Sequence, residues 1–338
     1  MNKRTEEIGT QSDLEIEFRL LGSNSYGESG LILINDTTKK VCLFSFLIDS
    51  FTGIHNYLKL LKKEKGDGFG YISCICWTHP HEDHTNDLLE ILRDKTIISI
   101  NRKHPNQYDD TTRFIIPGHI KPSRGKFEYN MNGLVDDFHP IIKMGGSIGV
   151  KVDEYKNKAR HKWFVKVTDI NRKIPIELIF ITPKSKINNT YKGQIYADEF
   201  NIISLSFVLR VGEHFSIFWG GDCDSDSIFA ALEVPEKGRE CSELLRTCNI
   251  VKIPHHGSNK AKKLPKLFGQ LDFAMVTSDT RSNLPCEKVL KKFEKILPQK
   301  ENLLQTKLHI NNGDQMGEVK LSISFDNDMK PVYSLANK

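Results

Sequence analysis

The sequence predicts a mixed α/β fold in which buried strands deliver polar clusters at their ends. Three observations carry that expectation. Short apolar runs recur at Val41–Ile48, Tyr71–Trp77, Phe215–Trp219 and Asn249–Ile253, all of strand length. Each run stops in a polar group: Asp49-Ser50, Thr78-His79-Pro80-His81-Glu82-Asp83-His84, Gly220-Gly221-Asp222 and Pro254-His255-His256-Gly257-Ser258. Helically spaced segments follow three of them, at Ile54, Tyr57, Leu58 and Leu61, at Leu88–Leu92 and at Ile228–Leu232. Strands alternating with helices point to sheets covered by helices.

Taken in order, residues 1–14 are polar and expected to be a flexible N-terminus, and 15–338 are read as a single domain. Glu15–Leu21 alternates like a strand, Gly22–Gly30 reads as a loop, and Leu31–Ile34 as the next strand. The turn Asn35-Asp36-Thr37-Thr38 leads into Val41–Ile48. Asp49 can cap the helix that begins near Ile54, and Asp83 the helix suggested by Asn86–Leu92. Residues 101–200 form an irregular insert with a surplus of Lys and Arg. Within it Lys156, Lys158, Arg160, Lys162 and Lys166 interleave with Trp163 and Phe164, a pattern able to track a phosphate backbone and stack bases. A solvated hairpin with its aromatics in the core has the same pattern. Asn201–Arg210 is a long strand, Gly212-Glu213 a turn and Phe215–Trp219 its partner. Asp222-Cys223-Asp224-Ser225-Asp226 imitates a calcium loop, but Ser227 stands where that loop needs glycine, and Asp226 reads as a helix cap. Phe273–Ser278 and Val319–Phe325 are further strands, and a helix starts in Pro285–Leu290.

Composition sets the frame. The 338 residues are 38% hydrophobic and 27% charged, with a formal net charge of +5, as expected of a soluble globular chain. No run of 18 apolar residues exists, so no membrane partner is expected, and the N-terminus carries no secretory pattern. Seven cysteines follow no paired framework, and Cys42, Cys74 and Cys76 fall in strands as buried thiols, which suits a reducing cytoplasm.

The polar clusters have a common chemistry. Imidazole and carboxylate are ligands for zinc, manganese or iron. His79 and His81 can turn to one ion, and Asp83 and His84 to its neighbour. Asp222, at a strand end, can bridge two ions with its two oxygens, and His255-His256 forms a third strand-end cluster. Gly257 allows close backbone approach to a ligand.

The His-x-His-x-Asp-His loop at 79–84 resembles the signature of the metallo-β-lactamase superfamily. Asn201-Ile202-Ile203-Ser204-Leu205 before a hairpin that ends in Gly221-Asp222, followed by His255-His256-Gly257-Ser258, resembles its ComEC-like branch in soluble, stand-alone form. The resemblance spans about residues 15–335 and implies a four-layer αββα sandwich holding two divalent metal ions, zinc or manganese. It implies His79, His81, Asp83, His84, Asp222 and His255 as ligands, Asp49 as the brace of the metal loop, and His256 facing the substrate. His255 is favoured as the ligand of that pair because it stands nearer the strand end. Many superfamily members have a further histidine before the bridging aspartate. Here the interval offers His104, His119, His139 and His161, in no recognisable motif, and Asn201 or Ser204 stands near that place.

Two ions about 3.5–4 Å apart acidify a shared water and stabilise charge on phosphoryl oxygens. Ser258 and the backbone around Gly257 are placed to hold such an oxygen, and Lys260, Lys262 and Lys263 add positive charge. The expectation is a metal-dependent hydrolase, a phosphodiesterase or nuclease using a metal-activated hydroxide, with Asp83, His256 and Asp49 in catalysis and Asn201, Ser204, Ser258 and Lys260 on the substrate. The alternatives are a hydrolase of small esters, thioesters or lactams, and a metal-stabilised binding subunit without turnover.

Overall fold

The structure, a computed structural model, describes residues 14–23, 27–100, 111–117, 151–155, 160–167, 172–182, 201, 204–233, 235–306, 316–326 and 330–335. Its strands are β1 (Leu14–Ser23), β2 (Glu28–Asp36), β3 (Val41–Ile48), β4 (Cys74–Cys76) and β5 (Arg113–Pro117). Next come β6 (Lys151–Tyr155), β7 (Arg160–Val167), β8 (Arg172–Thr182), β9 (Ser206–Val211) and β10 (Phe215–Trp219). The last are β11 (Ile250–Lys252), β12 (Phe273–Val276), β13 (Leu303–Gln305), β14 (Met316–Phe325) and β15 (Pro331–Leu335). The helices are α1 (Ile54–Lys65), α2 (Leu88–Arg93), α3 (Ser225–Leu232), α4 (Pro235–Arg246) and α5 (Glu287–Glu294).

The strands form two mixed sheets, in the orders β15-β14-β1-β2-β3-β4-β5-β6 and β13-β12-β11-β10-β9-β8-β7. Both change character part-way. In the first, pairing is antiparallel from β15 to β3 and parallel from β3 to β6. In the second it is antiparallel from β7 to β10 and parallel from β10 to β13. Parallel sheets need cover on both faces, which is why these strands read as continuous apolar runs.

The pleat sorts the side chains. On β2, Ile32 and Ile34 pack with Phe46, Phe207 and Trp219 from both sheets, while Leu31 and Leu33 face Leu58, Leu61 and Leu88 of α1 and α2. On the second sheet, Val208, Phe218 and Val251 meet Ile228, Leu245 and Phe293 of α3, α4 and α5. One cluster thus joins residues of both sheets, and the other two join residues of one sheet each to helices, as is compatible with an α/β sandwich. Each fully buried apolar side chain stabilises by about 1.5–3 kcal/mol, so the three clusters dominate stability.

Several elements differ from the sequence-based expectation. β2 begins at Glu28, inside the expected loop, because every residue from Glu28 to Ile34 is buried. β9 begins at Ser206 rather than Asn201. Asp83 does not cap α2, whose N-cap is Asp87, and Asp49 does not cap α1, whose N-cap is Gly53. The Asp87 carboxylate instead accepts from the backbone of Gly53 and His55, pinning α1 to the loop before α2. α3 is capped by Asp224, whose carboxylate accepts from the Ser227 backbone at 2.6 Å, rather than by Asp226. The seven cysteines form no disulfide. Among the described residues no helix is long and apolar enough to cross a membrane. The N-terminus before Leu14, most of the basic insert, and His104, His119, His139, Lys156 and Lys158 lie outside the described residues.

Candidate metal centre

The polar clusters meet where the two sheets share a rim. Asp49 follows β3 and His79 follows β4; Asp222 follows β10 and His255 follows β11. These are the C-terminal ends of strands at or beside the change from antiparallel to parallel pairing, where open α/β sheets bind ligands. Two glycines permit the close approach. Gly221 has φ 52°, and a Cβ there would lie 2.4 Å from Ser204 Oγ. Gly27 has φ 122°, and a Cβ there would meet the Asp83 carbonyl oxygen.

Two groups of ligand-type atoms form there, each within 4.8 Å of one another: His79, His81 and Asp222, and Asp83, His84 and His256. Asp222 faces both. Its Oδ2 lies 3.7 Å from His79 Nε2 and its Oδ1 lies 3.5 Å from His84 Nε2. Asp83 Oδ2 lies 3.7 Å from His84 Nε2 and 3.5 Å from His256 Nε2. Ligands on a tetrahedral ion at about 2.1 Å stand roughly 3.4 Å apart, so these separations suit ligands converging on cations. The buried atoms agree: His84 Nε2 and Asp222 Oδ1 have no hydrogen-bond partner although both side chains are almost wholly enclosed. Buried polar atoms are rarely left so, and an ion or other ligand beside this pair would satisfy both. The donor set therefore fits divalent metal.

Asp49 braces this loop. Its carboxylate accepts from the Thr78 backbone at 2.6 Å, the Thr78 hydroxyl at 2.7 Å and His84 Nδ1 at 2.8 Å. His84 Nδ1 thus carries a proton and turns Nε2 toward Asp83 and Asp222.

Electrostatics follow from burial and crowding. Burial drives the His79 pKa well below the usual imidazole value, and the nearby His84 and His81 push the same way. Burial also opposes charge on His84, but the carboxylates of Asp222, Asp83 and Asp49 outweigh it and hold its pKa well above the usual value. Burial tends to raise Asp222, yet His84, His79 and His255 hold its carboxyl well below the usual range. Asp83 is likewise lowered, against burial, by His84 and His256. Burial raises the Asp49 pKa despite the pull of His84 and Thr78.

The adjacent histidines part ways. His255 and His256 both have left-handed backbone, φ 50° and 49°, inside a 3-10 turn. Non-glycine residues reach that region at a cost and persist there mostly at functional sites. His256, not His255, enters the group with Asp83 and His84. His255 is half-buried with Nδ1 3.5 Å from Asn201 Nδ2. Burial lowers its pKa. The expectation that favoured His255 rested on its standing nearer the strand end, but β11 ends at Lys252 and the chain turns through Pro254 before either histidine.

The other expected site residues surround this centre. The Ser204 hydroxyl accepts from the Asp222 backbone at 3.0 Å and lies 3.4 Å from His79 Nδ1. Asn201 Oδ1 and Ser258 Oγ are buried without a partner. Lys260 is exposed, close enough to His255 for its charge to act there. Lys263 pairs with Asp226 at 2.8 Å. His161 stands elsewhere, beside Arg113 at 3.3 Å and against Phe180. On β7, Arg160 and Lys162 both pair with Glu177, Trp163 packs on Phe44 at 5.2 Å, and Phe164 is exposed beside Lys162.

Glu28 was not anticipated. It is fully buried and lies within 4.8 Å of the ligand atoms of His84 and Asp222. It opens a strand rather than ending one, and β2 runs antiparallel to β3, so its start lies beside the end of β3.

No protein-family model matches this chain, and no curated protein matches its sequence. Among solved structures it is similar to the crystal structure of an isothiocyanate hydrolase from Delia radicum gut bacteria. The TM-score is 0.38 at 10% identity, over 91% of this chain and 99% of that one.

Proposed function

We propose that this chain is a metal-dependent hydrolase of the metallo-β-lactamase type, ComEC-like in its motifs, that cleaves phosphodiesters, foremost in nucleic acid. The four-layer αββα arrangement and a two-ion centre belong to the same reading. The observation that carries it is Asp222, which offers one oxygen to each of two His/carboxylate groups.

In this reading His79 and His81 would hold one zinc or manganese ion and Asp83, His84 and His256 the other, with Asp222 within reach of both groups. Such ions supply Lewis acidity, acidifying water and offsetting charge on a phosphoryl oxygen. The rest of the work falls to the chain. Asp49 orients His84. Asn201 Oδ1 and Ser258 Oγ are buried polar atoms left to bond a substrate. His255, poised beside Asn201 and not among the grouped ligand atoms, is placed to hydrogen-bond a substrate oxygen. Lys260 at the rim favours an anionic substrate over a neutral one. With Arg160 and Lys162 already paired to Glu177, Lys260 supports the phosphodiester reading more than the basic insert does.

The test combines metal analysis with cleavage of fluorescent single- and double-stranded oligonucleotides, a chromogenic phosphodiester and a chromogenic acetate ester. About two equivalents of metal per chain, with diester cleavage abolished by chelation, is the expected result. Ester cleavage with every diester intact would move the reading to small esters. Absence of bound metal would end it.

A further inference from the structure

Glu28 and Lys252 form an ion pair with both side chains fully buried. The pair joins the two sheets, since Glu28 opens β2 and Lys252 closes β11. Removing two charges from water is costly, and packed apolar side chains would join the sheets as well or better. The remaining contacts give the pair a use. Thr277, just after β12, donates its hydroxyl to Glu28 Oε2 at 2.5 Å, and the same hydroxyl oxygen lies 2.8 Å from His256 Nδ1.

Counting protons fixes the direction of this chain of contacts. Lys252 donates to Glu28 Oε1 and to the Gly221 carbonyl. Paired with an ammonium, Glu28 is a carboxylate and only accepts. A threonine hydroxyl has one proton, and here it goes to Glu28. The Thr277 oxygen is then left to accept, so Nδ1 of His256 must be the donor. In the neutral ring Nε2 then holds the lone pair, and it stands 3.5 Å from Asp83 Oδ2, inside the second group of ligand atoms. A second relay has the same form: His79 Nδ1 lies 2.9 Å from the Thr78 hydroxyl, which donates to Asp49. In both, a threonine placed between a buried carboxylate and an imidazole turns Nε2 toward the centre.

We propose that Glu28 and Thr277 are positioning residues that present His256 as an Nε2 ligand, with Lys252 occupying the Glu28 oxygen that would otherwise be free to compete for the ion. The inference rests on the metal-centre reading above. It assigns Glu28 to the same task for one sheet-to-sheet pair that Asp49 performs for the loop at His79. Outer partners of this kind typically change metal affinity 10- to 100-fold when removed.

The experiment uses the full chain and zinc. Thr277→Val removes the hydroxyl and keeps the shape and the Glu28–Lys252 pair, so it avoids the misfolding expected when a buried charge is left alone. Calorimetric zinc titration is expected to show the first ion bound as in the wild type and the second weakened 10- to 100-fold. Thr277→Ser should restore the second ion. Imidazole nitrogen NMR of the zinc-loaded wild type should place the His256 proton on Nδ1. A two-ion wild type whose Thr277→Val variant binds both ions unchanged, or whose His256 proton sits on Nε2, overturns the role of Glu28 and Thr277 alone. A wild type that binds no zinc overturns the metal centre itself, and the role with it.

Discussion

At the scale of single residues, the decisive feature is how many carboxylates crowd the imidazoles. His84 faces Asp49, Asp83 and Asp222, and they raise its pKa against the effect of burial. Without metal, His84 therefore holds a proton at pH values where a free imidazole has begun to lose it. A metal ion must displace that proton, so binding at pH 7 should release protons and tighten as pH rises. Calorimetry in buffers of different ionisation enthalpy measures the release, and identical heats in all buffers would contradict it. Asp222→Asn probes the bridge. An amide is a poor link between two dications, so at least one ion should be lost and turnover should fall by more than about 100-fold, beyond the usual cost of removing a residue that only supports a ligand. The fold should persist, because the Asp222 backbone N–H still donates to Ser204. Metal analysis beside turnover decides it; full occupancy with near wild-type activity would leave the bridge without support. Most of this centre was legible in the sequence because its residues sit together at strand ends. Glu28 was not, since it begins its strand and has no polar companions nearby in sequence. The roles of His255 and His256 were not either, because nearness to the strand end does not order two residues that both turn through left-handed backbone.

At the scale of elements, β7 separates a basic stripe from a binding surface. Arg160 and Lys162 pair with Glu177, and Arg160 also reaches Glu240 at 3.2 Å. Side chains already engaged with carboxylates release few counterions when nucleic acid binds. Arg160→Ala with Lys162→Ala should therefore leave the salt dependence of oligonucleotide binding almost unchanged. Lys260→Ala, beside His255, with the exposed Lys262→Ala should flatten its slope by about one for each phosphate left unneutralised. Fluorescence anisotropy across a salt series tests both, and a slope that depends on β7 instead would restore the stripe to the interface. The hairpin also shows where patterning reaches its limit: Trp163 and Phe164 are neighbours of similar character, yet the pleat sends one toward the core and the other to solvent. Long apolar strands such as β3 and β10 were readable nearly to the residue. β13 and β15 were not, being a three-residue strand and an edge strand with three of its five residues exposed. α4 escaped because its polar face dominates the composition and no strand-end cluster announces it.

At the scale of the whole molecule, the apolar clusters and the candidate centre are separate sources of stability. The cluster between the sheets and the two beneath the helices are made of aliphatic and aromatic side chains that need no metal to pack. Removing the ions should therefore lower the melting temperature without unfolding the chain, unlike small domains that fold only around zinc. An ion present at 100 times its Kd adds about 2.7 kcal/mol per site. The size of the effect should depend on pH in a fixed direction. A group whose pKa is raised in the folded state, as His84 is, stabilises fully below the unfolded value of about 6.5, and that contribution is lost as pH rises through its folded pKa. The carboxylates Asp83 and Asp222 are lowered, so their contributions fail only in acid and stay constant across the neutral range. His79 and His255, also lowered, act below about 6.5 and likewise leave that range alone. Between pH 7 and pH 9 the metal-free protein should thus lose the His84 contribution, and with it that of His256, which Glu28, Asp83 and Asp222 likewise raise against burial, while the metal-loaded protein keeps its ligands deprotonated and bound. The gap between the two melting temperatures should widen with pH over that interval. Scanning calorimetry with and without chelator measures it, and a gap that narrows or stays flat would mean that metal takes no proton from His84 or His256.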